Sequence, residues 1–138
     1  MKAFKLSRQL LAQIEEQARV GFPYEICGFI AGKTIGSGQQ IQAVRNIARN
    51  RQVEYHILPE DILATLLSFE SQGYKITGIY HSHPRYSAQP SNTDLHLADM
   101  PNTCYLVTSV SDKLECETRA WWVEDRKSIE IDLITFEE

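Results

Sequence analysis

A chain of 138 residues with 43% hydrophobic and 23% charged residues has the make-up of an ordinary globular protein, and one domain over residues 1–138 is the default expectation. Its formal net charge of −4 gives no electrostatic hold on a phosphate backbone, so a nucleic-acid partner is not expected. No apolar run approaches the roughly 20 residues that cross a bilayer, the opening residues 1–6 lack the apolar stretch of an export signal, and three cysteines without a C-x-x-C pair suit a reducing, cytoplasmic setting.

Periodicity and punctuation predict the elements in turn. Residues 4–6 read as a short strand. Ser7 is placed to cap a helix in which Leu10, Leu11, Ile14 and Ala18 recur at helical spacing, and Gly21 and Pro23 stop it. Residues 26–31 form an apolar run bounded by Gly32, the pattern of a buried strand. After a turn rich in Gly and Ser at 34–40, residues 41–47 alternate and are expected to pair as a hairpin partner. Residues 53–57 are a further strand candidate. Pro59 suits the first position of a second helix, with Ile62, Leu63, Leu66, Leu67 and Phe69 as its apolar face and Gly73 as its stop. Residues 75–80 read as a strand entering the core, and residues 95–100 as an apolar, helix-like stretch. Residues 103–110, 115–123 and 128–136 are expected strands, the last two joined by a polar turn. Alternation turns one of Trp121 and Trp122 inward and the other outward. Two longer helices among many strands, without strict alternation, predict an α+β sheet domain.

The segment His81-Ser82-His83-Pro84, followed by Ser91 and Asp94, carries the chemistry. Residues two apart on a strand face the same way, so His81 and His83 project from one face and Ser82 from the other. Pro84 has no backbone N–H and is expected to end regular pairing. That leaves two histidines at a frayed strand end, where they can chelate one ion. The polar loop 85–90 then returns Asp94 as a third ligand. Two imidazoles and a carboxylate are donors that zinc prefers, and three protein ligands leave a position for water.

Taken singly, each piece has a plainer role. H-x-H can be two polar side chains at a strand end. Ser91-x-x-Asp94 resembles a capping box with aspartate in place of glutamate, and a carboxylate committed to zinc is not expected to reach the Ser91 N–H as well. The conjunction within one short segment favours the metal. His56 and His96 fall outside the site, because His96 lies two residues beyond Asp94 on the same helix and points away from it. Cys27 reads as a small buried hydrophobe, with a fourth ligand or a redox switch as the alternatives. Arg45, Arg49 and Arg51 read as a solvated loop, with a docking patch for an acidic partner or a terminal carboxylate as the alternative.

The pattern His81-x-His83-Pro84-x6-Ser91-x-x-Asp94 resembles the signature of the JAMM, or MPN-plus, metallopeptidases at every signature position. Residues 23–32, with Glu25, resemble the first-strand motif of the small bacterial members. The resemblance runs from the first helix to the last strands. It implies a JAMM/MPN-like domain with a curved mixed β-sheet flanked by helices. It implies Zn2+ held by His81, His83 and Asp94. Glu25 would be the general base that takes a proton from water and returns it to the leaving amine, and Ser91 would hydrogen-bond the tetrahedral oxyanion.

The resemblance also implies a substrate: a ubiquitin-like or sulfur-carrier protein with a C-terminal Gly-Gly, from which an amino acid such as cysteine is released. Glycine would let the tail's backbone approach the metal, and a strand end beside exposed sheet edges would accept the tail as an added strand. A chain this short leaves little room to grip a second ubiquitin, so polyubiquitin is expected to be a poor substrate. The competing reading is a non-catalytic scaffold of the same fold that binds ubiquitin-like partners, which the complete ligand set opposes. A DNA-repair-associated branch with a similar loop is disfavoured by the acidic charge and by the absence of room for its additional N-terminal domain. A zinc deaminase is excluded, since it needs H-x-E and P-C-x-x-C.

Overall fold

The N-terminal strand β1 (Ala3–Ser7) leads directly into helix α1 (Arg8–Gly21), and Ser7 makes the transition. Its extended backbone ends the strand, and its side chain accepts the Leu10 N–H at 3.2 Å, as an N-cap does. The computed structural model describes residues 1–138 apart from the side chain of Leu97. Beyond α1 come β2 (Cys27–Gly32), β3 (Gln40–Val44), α2 (Pro59–Ser71), β4 (Lys75–Pro84), α3 (Asn92–Leu97), β5 (Cys104–Val110), β6 (Cys116–Glu124) and β7 (Lys127–Phe136). The strands form one curled mixed sheet in the order β1-β7-β6-β5-β4-β2-β3. The β1–β7 and β4–β5 pairs are parallel and the rest antiparallel.

Both faces of the sheet are buried, which explains why β2 is apolar throughout rather than alternating. On one face Phe29, Ile79, Val107 and Trp121 pack with Phe69 of α2. On the other, Phe4, Leu6, Ile30, Tyr80 and Leu106 pack with Ile14 of α1. Full burial of a side chain such as Ile14 contributes about 1.5–3 kcal/mol. Gly28 is required by this packing. It stands opposite Tyr80, a Cβ there would collide with the phenol ring, and the ring passes over it to donate to Gln17 Oε1 at 2.7 Å. Gly73 ends the α2 turn with φ +82, a conformation glycine adopts without strain.

Several expectations need correction. Residues 53–57 are not a strand. The Asn46 side chain pins this segment instead, donating to the Glu25 and Glu54 carbonyls and accepting from the Ala48 and His56 N–H groups, each at 3.0 Å. The segment's polar backbone is thus satisfied without a ladder. Strand β3 stops at Val44 for the same reason. On α2, Leu63 and Leu67 are 55% and 54% exposed. The buried row is 62, 65 and 69, and the sheet covers only that stripe. Trp122 is half-buried rather than outward: its ring packs against the α1-side core while Trp121 is buried on the α2 side. Finally, α3 ends at Leu97, and Met100 packs on the core from outside the helix.

Candidate metal centre

His81 and His83 share the α2-side face with Ile79, as two-residue periodicity requires. They are not at a frayed end. Strand β4 continues to Pro84, paired with β5 through Pro84–Val110 and with β2 through His81–Cys27. Proline fits there because it is the last residue of the strand, and its missing N–H interrupts nothing further along. Consequently the histidines lie deep in the sheet, each only 1% exposed. Beside His81 there is no free strand edge, since β2 and β3 lie between β4 and the edge, whereas His83 and Pro84 pair only with β5. The expected addition of a substrate tail as a strand is therefore not available to β4 up to His81.

Three atoms converge in this position. His81 Nε2 and His83 Nε2 lie 3.1 Å apart, and Asp94 Oδ2 lies 3.0 Å from the first and 3.1 Å from the second. Ligands bound at 2.0–2.1 Å in a tetrahedral shell stand about 3.3–3.4 Å from one another, so the triangle is close to what one small ion requires. The second test is the proton inventory. His83 Nδ1 faces the Ser87 carbonyl at 2.7 Å. In the neutral ring its proton belongs there, which leaves the Nε2 lone pair aimed at a carboxylate. Two acceptors facing each other call for a cation between them.

Without an ion, a proton shared with the carboxylate takes the place of that cation. Burial opposes charge on His83, but the Asp94 hydrogen bond and the Ser87 carbonyl outweigh it and raise its pKa. Burial would likewise raise the Asp94 pKa. Hydrogen bonds from His81 and His83, the charge of His81 and the Ser91 N–H overcome it and hold the carboxyl well below its usual range. The donor types fit a metal ion: His83 has Nδ1 tied to a carbonyl in the manner of ligating histidines, while His81 Nδ1 is buried without a partner.

Asp94 reaches this position from the first turn of α3. Ser91 Oγ accepts the Asp94 N–H at 3.1 Å, and Asp94 Oδ2 accepts the Ser91 N–H at 2.8 Å. The capping box and the converging oxygen are thus the same group, not competing uses of it: Oδ2 faces both imidazoles while holding the cap. Ser91 uses an oxygen lone pair in the cap, so its hydroxyl proton remains available to donate.

Glu25 lies on the connector before β2 and is 2% exposed. Its carboxylate stands within 4.8 Å of both imidazole donor atoms, so Glu25, His81 and His83 also form a group that could hold a metal ion. One oxygen, Oε2, accepts the Tyr86 hydroxyl at 2.6 Å, while Oε1 is buried without a partner. Burial is the main cause of its raised pKa, pulled back by the charge of His81, the Tyr86 hydrogen bond and His83. A raised pKa makes the carboxylate a stronger proton acceptor. Ser82, on the opposite face of β4 from the histidines, anchors this connector. Its Oγ accepts the Ile26 N–H at 2.8 Å, and its N–H donates to the Ile26 carbonyl at 3.0 Å.

The motif alone did not reveal two further residues. The Tyr55 ring stacks on His81, with centroids 4.5 Å apart, and the Tyr86 ring stacks on His83 at 4.4 Å. Tyr86 stands three residues after His83 and could have been suspected, whereas nothing local points to Tyr55. Trp121, expected only to fill the core, also donates from Nε1 to the Ala88 carbonyl at 2.8 Å and so ties down the loop that follows the histidines. His56 and His96 are both exposed. Cys27 is buried beside Val44 and burial pushes its pKa up to about 12, which fits a small hydrophobe rather than a thiolate ligand. Arg45 is paired with Asp61 at 3.0 Å and Arg51 lies over the Tyr24 ring, so two of the three arginines are engaged locally. A cleft of about 360 Å³ runs up to Thr93 and Asp94, lined by apolar side chains that include Ile57, Ile62, Met100 and Tyr105. No helix among the described residues is long and apolar enough to cross a membrane.

A sequence model of the family described as prokaryotic homologs of the JAB domain matches residues 7–124. A desampylase of Haloferax volcanii is 32% identical over 109 residues, covering 76% of each chain. A CysO-cysteine peptidase of Mycobacterium tuberculosis is 29% identical over 108 residues, covering 78% of this chain and 74% of the relative. Among solved structures, a protein of Desulfitobacterium hafniense superposes with a TM-score of 0.86 at 23% identity, over 98% of this chain and 94% of its own. A structure described as a JAMM metalloprotease-like zinc site superposes with a TM-score of 0.60 at 23% identity, over 98% and 99%. These two likenesses show the fold.

Proposed function

The chain belongs to the family of prokaryotic homologs of the JAB domain, and from that premise we propose that it is a single-domain, zinc-dependent amide hydrolase. Its substrate is a ubiquitin-like or sulfur-carrier protein, cut after the C-terminal Gly-Gly to release an amino acid such as cysteine. The observation that carries this reading is the triangle of His81, His83 and Asp94 donor atoms, with a second carboxylate close by whose Oε1 has no partner.

His81, His83 and Asp94 hold the ion. When bound, zinc supplies Lewis acidity, polarising a carbonyl and bringing the pKa of water down to about 7. Glu25 accepts the proton that water loses as its oxygen joins the carbonyl carbon. The same carboxyl delivers that proton to the amine nitrogen as the C–N bond breaks. Ser91 donates its hydroxyl proton to the oxygen that gains negative charge. Because the two histidines are 1% exposed, only a thin, extended segment brings a carbonyl to them, and glycines lack the Cβ that would obstruct it. The cleft beside Asp94 offers an apolar wall for residues preceding the glycines. The names of the desampylase and CysO-cysteine peptidase relatives support a substrate of this kind. Three free cysteines support a reducing, cytoplasmic setting.

The test is incubation of zinc-loaded protein with a carrier–cysteine conjugate, followed by intact-mass analysis. Loss of the terminal cysteine is the expected result, suppressed when the last glycine is replaced by valine. Equal cleavage of the valine tail, or none of any carrier conjugate, would overturn the substrate assignment.

A further inference from the structure

Tyr86 does three things at once. Its ring stacks on His83 with centroids 4.4 Å apart and planes 27° apart. Its hydroxyl donates to Glu25 Oε2 at 2.6 Å. Its neighbour Ser87 accepts from His83 Nδ1 at 2.7 Å. Residues 86 and 87 thus wrap the second histidine and touch the second carboxylate.

The chain does not arrive there by default. Arg85 has φ +71, a left-handed conformation that a residue with a Cβ adopts at a cost. It is fixed on three sides. Its N–H donates to the Val110 carbonyl at 2.8 Å, its guanidinium donates to Asp112 at 2.7 Å, and the same group lies 4.9 Å from the centre of the Phe22 ring. Phe22 belongs to the connector that carries Glu25. Two consecutive residues, Arg85 and Tyr86, therefore reach from the end of β4 to the 22–25 segment, one to its ring and one to its carboxylate.

The two oxygens of Glu25 end up in different positions. Oε2 is occupied by the phenol, while Oε1 is buried and has no hydrogen-bond partner. A buried carboxylate oxygen without a partner is costly unless a reactant fills the place.

We infer that Tyr86 is a positioning residue for Glu25: its hydroxyl holds Oε2, its stack on His83 fixes where that hydroxyl stands, and Oε1 is thereby presented to the proton being transferred. This rests on the assignment of Glu25 as the base. The phenol neither touches the substrate nor moves a proton. It restricts the carboxylate to one rotamer, and catalysis is sensitive to misplacement of about 1 Å.

The experiment compares Tyr86→Phe, Glu25→Gln and the double variant, each zinc-loaded and assayed on a carrier–cysteine conjugate. Tyr86→Phe keeps the stack and removes only the hydrogen bond. It should lower kcat about tenfold with KM and zinc content unchanged. In the Glu25→Gln background the same change should cost nothing further, because the group it positions is gone. A readout independent of turnover is the hydroxyl proton of Tyr86 in the NMR spectrum of the metal-free protein. It should stand downfield in the unmodified chain and shift in Glu25→Gln, while the amide spectrum confirms folding. Full kcat in Tyr86→Phe, or an equal loss in both backgrounds, would overturn the inference and leave the assignment of the base intact. Full activity in Glu25→Gln would overturn the base and Tyr86's role together.

Discussion

His81 and His83 sit on a strand, the first paired on both sides and the second with β5, whereas Glu25 sits on a connector with no ladder of its own. The histidines point as they do because β4 is a strand, and every neighbouring strand enforces that direction. Glu25 is held by separate tethers. Its N–H reaches the Arg51 carbonyl at 2.7 Å, its carbonyl accepts from Asn46, its neighbour Ile26 is bonded to Ser82, and its carboxylate is bonded to Tyr86. The difference teaches that one half of the site inherits its geometry from secondary structure, while the other is assembled from distant side chains. Damage should follow the same division.

The largest effect is expected from His83→Ala. It should lose zinc and with it all turnover, exceeding the 10–100-fold that loss of a ligand's outer partner costs. Metal analysis and activity check it, and full zinc occupancy would place the ion elsewhere. Chelation should lower the melting temperature of the unmodified chain. At zinc 1,000-fold above its Kd, binding adds about 4 kcal/mol to the folded state. The same treatment should leave His83→Ala unmoved.

Next comes Glu25→Gln, which should keep zinc and the same melting behaviour yet lose about 10²–10⁴-fold in kcat. Near-normal turnover would show that the tethered half is not the base. Asn46→Ala attacks the tethers without touching the carboxylate. It leaves two donors and two acceptors unpaired and should destabilise by roughly 1–3 kcal/mol, measured by urea unfolding. kcat should fall while the zinc content of folded protein stays constant. If zinc were lost instead, the two halves would not be separable. The smallest effect is expected at Leu67→Gln, on the exposed side of α2. Stability should change by no more than about 0.5 kcal/mol, and activity should not change. A large loss of activity there would mark that face as part of substrate docking.

The amino-acid sequence determined a good deal by itself. The two-residue spacing of His81 and His83 fixed their common face, Ser7 and Ser91 marked helix starts, Pro59 and Gly73 bounded α2, and the S-x-x-D spacing brought Asp94 back into the first turn of α3. These are local relations, set by the geometry of a residue relative to its own backbone a few positions away. Tertiary structure decided the rest. Residues 53–57 had the composition of a strand, but the distant Asn46 amide satisfies part of the segment's backbone in place of a ladder. Leu63 and Leu67 are as apolar as their neighbours, yet the sheet covers only one stripe of α2. Trp122 is half-buried because it packs against the α1-side core on the face that local alternation could only leave open. Pro84 closes β4 without fraying it, because β5 pairs up to that residue. The meeting of Tyr86 with Glu25 joins residues 61 positions apart in sequence. Such contacts depend on how whole elements dock, and no periodicity within a short window carries that information.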